Sequence, residues 1–480
     1  MAYDCAVVGG GIAGLAIAEI FARSGRSVVL IERNARLCQE ASAALHGWFH
    51  FGSLYSIFPQ NHFMRAMIGG VEDLLDTYAC FPNMNIVVAG DGRLGFPQKG
   101  GSWFRDEPIE YIVAARNDPD FDMDSFRGIG EYGRKLFFLL TWEMAIKQFI
   151  SRHQRFHSHN WRGAVAASRR IPSAGWADYS RQVISKPRNE GINLDPDTHF
   201  RIVGFDRPMQ ATAIIVDLLR SLIGCGGEVI TGAEVTRVER TSERTRVHTT
   251  NGAVEARAVV IAAGKGLSRF LERSSDVRVV SSPLLVAHPP VADVNFVRLT
   301  PFVERSINHL HHRVGDLSYS LIGGGYVADP DDRQAVARAS ERLVSMARSV
   351  FPRLGEASVV ETYRGEKAEI AGGGGRNYQY GIREIDRNVL AVVPGKFSLA
   401  FSLAVETFRR LTGESPTKKL GGLGSPDEAS RYAGQTRHAA IMLEAMGRSR
   451  RAPAAEDRAI EARTAAAGAS TDGQWRQRQA

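Results

Sequence analysis

Cysteine is scarce in this chain, with four in 480 residues: Cys5, Cys38, Cys80 and Cys225. None forms a CxxC pair, which excludes the common zinc patterns and a disulfide framework. Long apolar runs are missing as well. The longest, Leu136 to Ile146, is broken by Glu143 and is too short to span a bilayer. It continues through Phe149 and Ile150 at helical spacing and reads as a buried or interfacial helix. Peripheral membrane contact through Lys135 to Arg155 stays open. No basic leader and no small-residue cleavage site precede the strand-like run from Tyr3 to Val8, which points to a cytoplasmic protein. No internal repeat is found. Charge of one sign is also modest: 60 Lys plus Arg against 52 Asp plus Glu give +8. Seven Arg against four acidic residues in Ala445 to Ala480 supply +3 of it. Such a balance points to no nucleic-acid partner and is compatible with a small anionic substrate. At 44% hydrophobic and 23% charged residues, the chain is neither disordered nor fibrous, and its length suggests two or three domains.

What is present begins at residue 5. Cys5-Ala6-Val7-Val8 suits a buried parallel strand. Gly9-Gly10-Gly11-Ile12-Ala13-Gly14 follows, then Leu15 to Arg23 at helical spacing, a stop at Gly25, and a second strand from Ser27 to Ile31 that ends on Glu32. This βαβ order carries a dinucleotide. The first glycine makes the tight turn, the second lets backbone approach a pyrophosphate, and the third lets helix pack on strand. The pyrophosphate then lies on the positive end of the helix. A carboxylate at Glu32 accepts from ribose hydroxyls and disfavours a 2′-phosphate, so NADP does not suit this site.

Regular alternation then stops. Residues 41 to 59 are rich in Gly, His and aromatics, and residues 60 to 200 hold a helix near Met64 to Tyr78, turn-rich segments and a polar stretch. Helix and strand patterns resume at Ala211 to Ile223, Glu228 to Thr231, Glu234 to Glu239 and Thr245 to Thr249. Asn251-Gly252 marks a tight hairpin into Ala253 to Ala262. A helix is expected over Asp332 to Val350, a strand over Asn388 to Val393 and a helix over Phe397 to Leu411. Beyond Leu411 the composition shifts to Gly, Ser, Ala and Arg, and the last 30 or so residues read as a disordered tail.

The N-terminal pattern, the strand ending Val260-Ile261-Ala262-Ala263-Gly264 and the late turn Val393-Pro394-Gly395-Lys396-Phe397-Ser398 resemble the D-amino-acid oxidase superfamily of FAD enzymes. The branch of glycerol-3-phosphate dehydrogenases and 2-hydroxyglutarate oxidases is the nearest in look, through His50-Phe51-Gly52-Ser53-Leu54-Tyr55. The resemblance implies an α/β fold: a Rossmann-like FAD-binding domain with an inserted α+β substrate (cap) domain. It assigns 1–60, 200–280 and 360–412 to the first unit and 61–199 and 281–359 to the second, with 413–480 a partly disordered extension. The cofactor set it implies is Gly9, Gly11, Ile12, Ala13, Gly14, Glu32, Arg33, Ser42, Val235, Ala263, Gly264, Gly395, Lys396, Phe397 and Ser398. Ser42 is expected at the pyrophosphate or flavin edge and backbone of Val235 at adenine. Gly264 is expected where no side chain fits, and the turn from Gly395 aims its amides at the flavin pyrimidine.

The resemblance implies an FAD-dependent dehydrogenase or oxidase that moves hydride from a small anionic CH–OH compound to flavin N5. Electrons then pass to oxygen, a quinone or another acceptor. Such chemistry needs an anchor for the anion and a base for the hydroxyl proton. Arg364 stands where the family carries an anchoring Arg, since a planar guanidinium grips carboxylate or phosphate with two donors. His50 is the expected base, His46 the runner-up, and Tyr55 is expected to orient substrate. Lys367 and Lys396 are weaker anion contacts. His309, His311 and His312 look like a metal cluster but lack an acidic or cysteine partner nearby, so no metal is expected. An amino acid or amine oxidase and a non-catalytic flavin-binding protein remain as alternatives. A flavin monooxygenase is disfavoured, because no Gly-Asp pair lies near the last helix.

Overall fold

The structure is a computed structural model that describes residues 2–57, 61–89, 94–114, 142–150, 173–187, 191–196, 199–271, 276–300, 306–371 and 377–446. Two eight-stranded sheets organise it. In the first, the strand Tyr3–Val8 pairs in parallel with Val28–Ile31 on one side and with Gly252–Ile261 on the other. Glu228–Ile230 extends the parallel order beyond Val28–Ile31. The strand Gly252–Ile261 divides its far edge. Its first half pairs with the antiparallel hairpin strand Thr245–Thr249, and its last residues pair in parallel with Val389–Val393.

Both faces of this sheet are covered, which is why its strands are apolar throughout rather than alternating. Val7, Leu30 and Val260 pack under the helices Ile12–Arg23, Ala211–Gly224 and Ala400–Thr412. Ala6, Val8, Val29, Ile31 and Val259 pack into a second cluster with Val235 and Val247. The expected elements appear with small shifts at their ends. The helix after the glycine turn runs Ile12–Arg23, and the late one begins as a 3-10 turn at Phe397–Leu399. Asp332 is the N-cap of Arg333–Val350, its side chain accepting from the Ala335 amide. The Asn251-Gly252 hairpin forms, with Gly252 at φ 134°.

The second sheet runs in the order Val359–Ile370, Val277–His288, Leu317–Gly324, Ile307–Val314, Asn295–Leu299, Ile109–Ala114, His199–Val203, Ile184–Ser185. The strand Val359–Ile370, from a segment read with the first unit, pairs here along twelve residues of Val277–His288. Alternation sorts the two faces. Leu285, Ile322 and Phe296 meet Leu343, Ala347 and Val350 of the helix Arg333–Val350. Leu284, Val286, Tyr319 and Leu321 point the other way.

Between Thr412 and residue 446 the chain forms two further helices. Helices Pro426–Tyr432 and Arg437–Ala445 follow one another, and Ile441 and Met442 pack on Leu284, Val286, Tyr319 and Leu321. Between them the chain bridges to the loop after the second strand: the Leu37 amide donates to Tyr432, and the Gly434 amide donates to Leu37. The expected tail after residue 446 and most of Lys135 to Arg155 lie outside the described residues. Within the latter, residues 142–150 are helical.

Candidate active site

One cavity of about 490 Å³ runs between the two sheets. Its wall at the first sheet is the Gly9–Gly14 turn at the C-terminal end of the first strand, the place where doubly wound sheets bind ligands. Gly9 sits at φ 102°, where a Cβ would come 2.6 Å from the Ala262 carbonyl oxygen. A Cβ on Gly14 would run into the Gly9 carbonyl, so this third glycine lets the helix pack on the turn. Gly11 differs. A Cβ there meets only Ser42 Oγ, at 3.5 Å, on the cavity side. The N-cap residue Gly11 offers no side chain and no acidic residue lies in the first turn, so the positive end of the helix faces the lining at Gly11, Ile12 and Ala13. Ser42 Oγ accepts from the Ile12 amide at 3.0 Å.

Glu32 is buried at the end of the second strand. One carboxylate oxygen accepts from the Gly10 amide at 2.6 Å and the other from the Asn34 amide at 2.8 Å, which fixes the carboxylate beside the turn. Arg33 lines the same end. Further along, the Val235 carbonyl accepts from Arg269 Nη2 at 3.1 Å, and the same guanidinium pairs with Glu234 at 2.6 Å. Arg269, which lines the cavity beside Glu234 and Val235, was not foreseen. Ala263 and Gly264 line the middle. The expected reason for Gly264 needs correction: a Cβ there meets nothing within 4 Å, and glycine is favoured by φ 54° alone. Donor amides, a helix N-terminus, a carboxylate and a long cleft fit the parts of FAD.

At the opposite end, Pro394, Gly395, Lys396 and Phe397 line the cavity. Gly395 has φ 64°, and a Cβ on it would meet the Gln379 and Tyr378 carbonyls. Ser398 does not line the cavity; its Oγ is buried against Met67 Sδ at 3.8 Å. The Lys396 ammonium lies 4.7 Å from the centre of the Tyr378 ring and 5.6 Å from that of Tyr55, and Lys367 lies 5.7 Å from Tyr378.

His50 lines the cavity next to these groups, its ring 5.2 Å from that of Tyr55 and 4.6 Å from that of Trp48. Its Nδ1 lies 3.3 Å from Oδ2 of Asp206, a wholly buried carboxylate. Burial, and then the nearby charge of Lys396, push the His50 pKa down to about 4, against the opposing pull of Asp206. The ring is therefore neutral at pH 7. Nδ1 carries the proton that Asp206 accepts, and Nε2 keeps its lone pair. Burial alone would raise Asp206, but its bonds from His50, Tyr111 and the Phe51 amide hold it low and ionised.

His46 stands across the cavity. Its Nε2 donates to the Leu321 carbonyl at 3.1 Å, and burial lowers its pKa to about 3. Arg364 is not brought to the site. Its side chain is half exposed, pairs with Glu366 at 3.2 Å and does not line the cavity; Gly365, Glu366, Lys367 and Ala368 of the same strand do. His309 bonds Ser320 Oγ and the Val294 carbonyl, and His312 bonds the His46 carbonyl. Among the described residues no group of three or more His, Cys, Asp or Glu is arranged to hold a metal ion, and no helix is long and apolar enough to cross a membrane.

Fold and cleft together define an α/β oxidoreductase of the dinucleotide-dependent class, with a second sheet across the cleft. The chain belongs to the FAD-dependent oxidoreductase (DAO) family, whose model matches residues 4–116 and 206–375. It is thus an FAD-dependent enzyme of the oxidase and dehydrogenase class. Similar solved structures include L-α-glycerophosphate oxidase from Mycoplasma pneumoniae with FAD bound (16% identity, TM-score 0.57, 88% of this chain and 98% of that one). Glycine oxidase from Geobacillus kaustophilus is also similar (17%, 0.56, 87% and 98%), as is L-proline dehydrogenase from P. horikoshii (12%, 0.53, 87% and 96%). At such identity these likenesses speak for the fold alone. No curated protein matches the chain.

Proposed function

We propose that the enzyme oxidises a small anionic CH–OH compound, a hydroxy acid or polyol phosphate, at the end of the cavity lined by His50, Lys367 and Lys396. FAD, when bound, supplies the two-electron acceptor that takes the carbon-bound hydrogen as hydride. The chain's own part is the proton and the position. His50 Nε2 accepts the hydroxyl proton as the carbonyl forms, a task that a neutral imidazole performs and a protonated one does not. Lys396, and Lys367 although it also pairs with Glu369 at 3.3 Å, bring positive charge to the substrate's anion. Tyr378, which lines the cavity, limits where it can lie; Tyr55 is buried outside the lining, so the orienting role expected of it is not kept. Turnover would then need an external acceptor, oxygen, a quinone or another, to take up the two electrons.

One observation carries the reading: a neutral histidine, held at Nδ1 by a carboxylate, beside two lysines on one cavity. An amine substrate, already neutral when it reacts, gives a base of this kind nothing to remove. Mixing holoenzyme anaerobically with glycerol 3-phosphate, 2-hydroxyglutarate, glycine and L-proline tests it. Bleaching of the flavin by either of the first two supports the reading. Bleaching by the amines alone replaces it with an amine oxidase, and bleaching by none favours a flavoprotein without this chemistry.

A further inference from the structure

We propose that Asp206 is the positioning residue for the reaction, holding His50 in the one tautomer that leaves Nε2 free to accept a proton. The inference rests on His50 being the base, as argued above.

Asp206 ends the crossing from the strand His199–Val203 and is 156 residues from His50 in sequence. Its two oxygens have separate tasks. Oδ1 accepts backbone amides, from Phe51 at 2.8 Å and Ser53 at 3.3 Å, and so fixes the course of the segment that bears His50. Oδ2 accepts only side-chain donors: Tyr111 Oη–H at 2.7 Å, Trp48 Nε1–H at 3.0 Å and His50 Nδ1 at 3.3 Å. Trp48 and Tyr111 also have rings 6.3 Å apart, so they wall in the carboxylate while bonding it. A carboxylate without its own proton can only accept. It therefore demands the proton on Nδ1. His50 Nε2 has no hydrogen-bond partner among the described residues, and the ring lines the cavity.

The same geometry says what a neutral isostere does. Asn at 206 can keep its carbonyl on the two amides. Its NH₂ then replaces Oδ2 opposite three donors. His50 can relieve that conflict only by accepting at Nδ1, which moves its proton to Nε2 and blocks the base. A residue that only stabilised the fold would not select a tautomer.

The groups that bear on His50 are Asp206, which favours its charged form, Lys396 and Lys367, which oppose it, and His46, whose own protonation is coupled to it. Tyr111 acts through Asp206.

The test uses holoenzyme labelled with ¹⁵N-histidine. In the wild type, His50 shows the Nδ1–H tautomer at pH 7. In Asp206→Asn it shows Nε2–H. With whichever of glycerol 3-phosphate and 2-hydroxyglutarate bleaches the flavin, kcat falls roughly 10²-fold while KM changes by no more than about twofold. An unchanged tautomer in Asp206→Asn overturns the proposal. Where that variant does not fold, Tyr111→Phe decides. Removing one donor from Oδ2 strengthens its hold on His50 and moves the His50 titration to higher pH, and an unmoved titration overturns the proposal. The base reading fails differently: His50→Ala then turns over like the wild type, whatever tautomer Asp206→Asn displays.

Discussion

The Nδ1 of His50 and the Oδ2 of Asp206 lie 3.3 Å apart, both buried, with the imidazole opening on the cofactor cleft and the carboxylate sealed behind it. One residue comes from the loop after the nucleotide-binding unit and the other from the return out of the cap sheet. The pair exists only when both units are folded together.

Loss of the base should slow chemistry and spare the cofactor. His50→Ala is expected to bind FAD normally and to reduce it about 10²–10⁴-fold more slowly with its best hydroxy substrate. Stopped-flow anaerobic reduction separates this from a binding defect, because the slow limit persists at saturating substrate.

Lys396 bears on both substrate and base. Lys396→Met should raise KM for the anionic substrate more than Arg364→Ala does, since only Lys396 lines the cavity. The charge of Lys396 also holds the His50 pKa down. Without it His50 protonates at higher pH, so the acid limb of the kcat profile moves up from near pH 4. A limb that moves down or stays would contradict the placement.

The three glycines of the turn should fail in different ways. Gly14→Ala collides with the Gly9 carbonyl and Gly9→Ala with the Ala262 carbonyl, so both should lower thermal stability even without FAD. Gly11→Ala meets only ordinary contact within the protein, and its methyl stands where a pyrophosphate would approach. It should fold like the wild type and come off the column with little flavin. Equal thermal loss for all three would sink this distinction.

Acid should destabilise the fold before carboxylates titrate. His46, His50 and His312 have pKa values lowered to about 3, about 4 and about 4, and burial lowers His309 and His438 as well. Each group has a folded pKa below its unfolded one, so the unfolded chain takes up protons first as pH falls below about 6.5. Stability is then complete above that value and is lost as pH drops toward 4, by up to about 1.4 kcal/mol per pH unit for each group. Thermal melts from pH 8 to 4.5 check the slope. His438→Phe should flatten it.

The nucleotide half of the site was legible because local signals agree there. Strand, glycines, helix and terminal acid all fall within 32 residues, and Glu32 lies beside Gly10 as the order requires. The substrate half is a product of distance and register. Nothing near Asp206 in sequence marks it as the partner of His50. Arg364 occupied a plausible place along the chain, but the cavity is lined by Gly365 to Ala368 of that strand and stops short of Arg364, which turns to Glu366. The stretch after Thr412 was marked by composition only as a shift to Gly, Ser, Ala and Arg and a partly disordered extension, not as the two helices that end at Ala445. Its order comes from Ile441 and Met442 docking on the cap sheet and from backbone bonds to Leu37, which no local propensity reveals.

A matched pair of substrates tests the central claim most directly. Anaerobic titration of the yellow holoenzyme with 2-hydroxyglutarate and with glutamate compares molecules that differ only in a hydroxyl against an amine. Should 2-hydroxyglutarate prove too long for the site, lactate and alanine make the same comparison. Loss of the visible flavin band with the hydroxy acid, and its persistence with the amino acid, is the result the His50–Asp206 site predicts. Bleaching by the amino acid alone would contradict it.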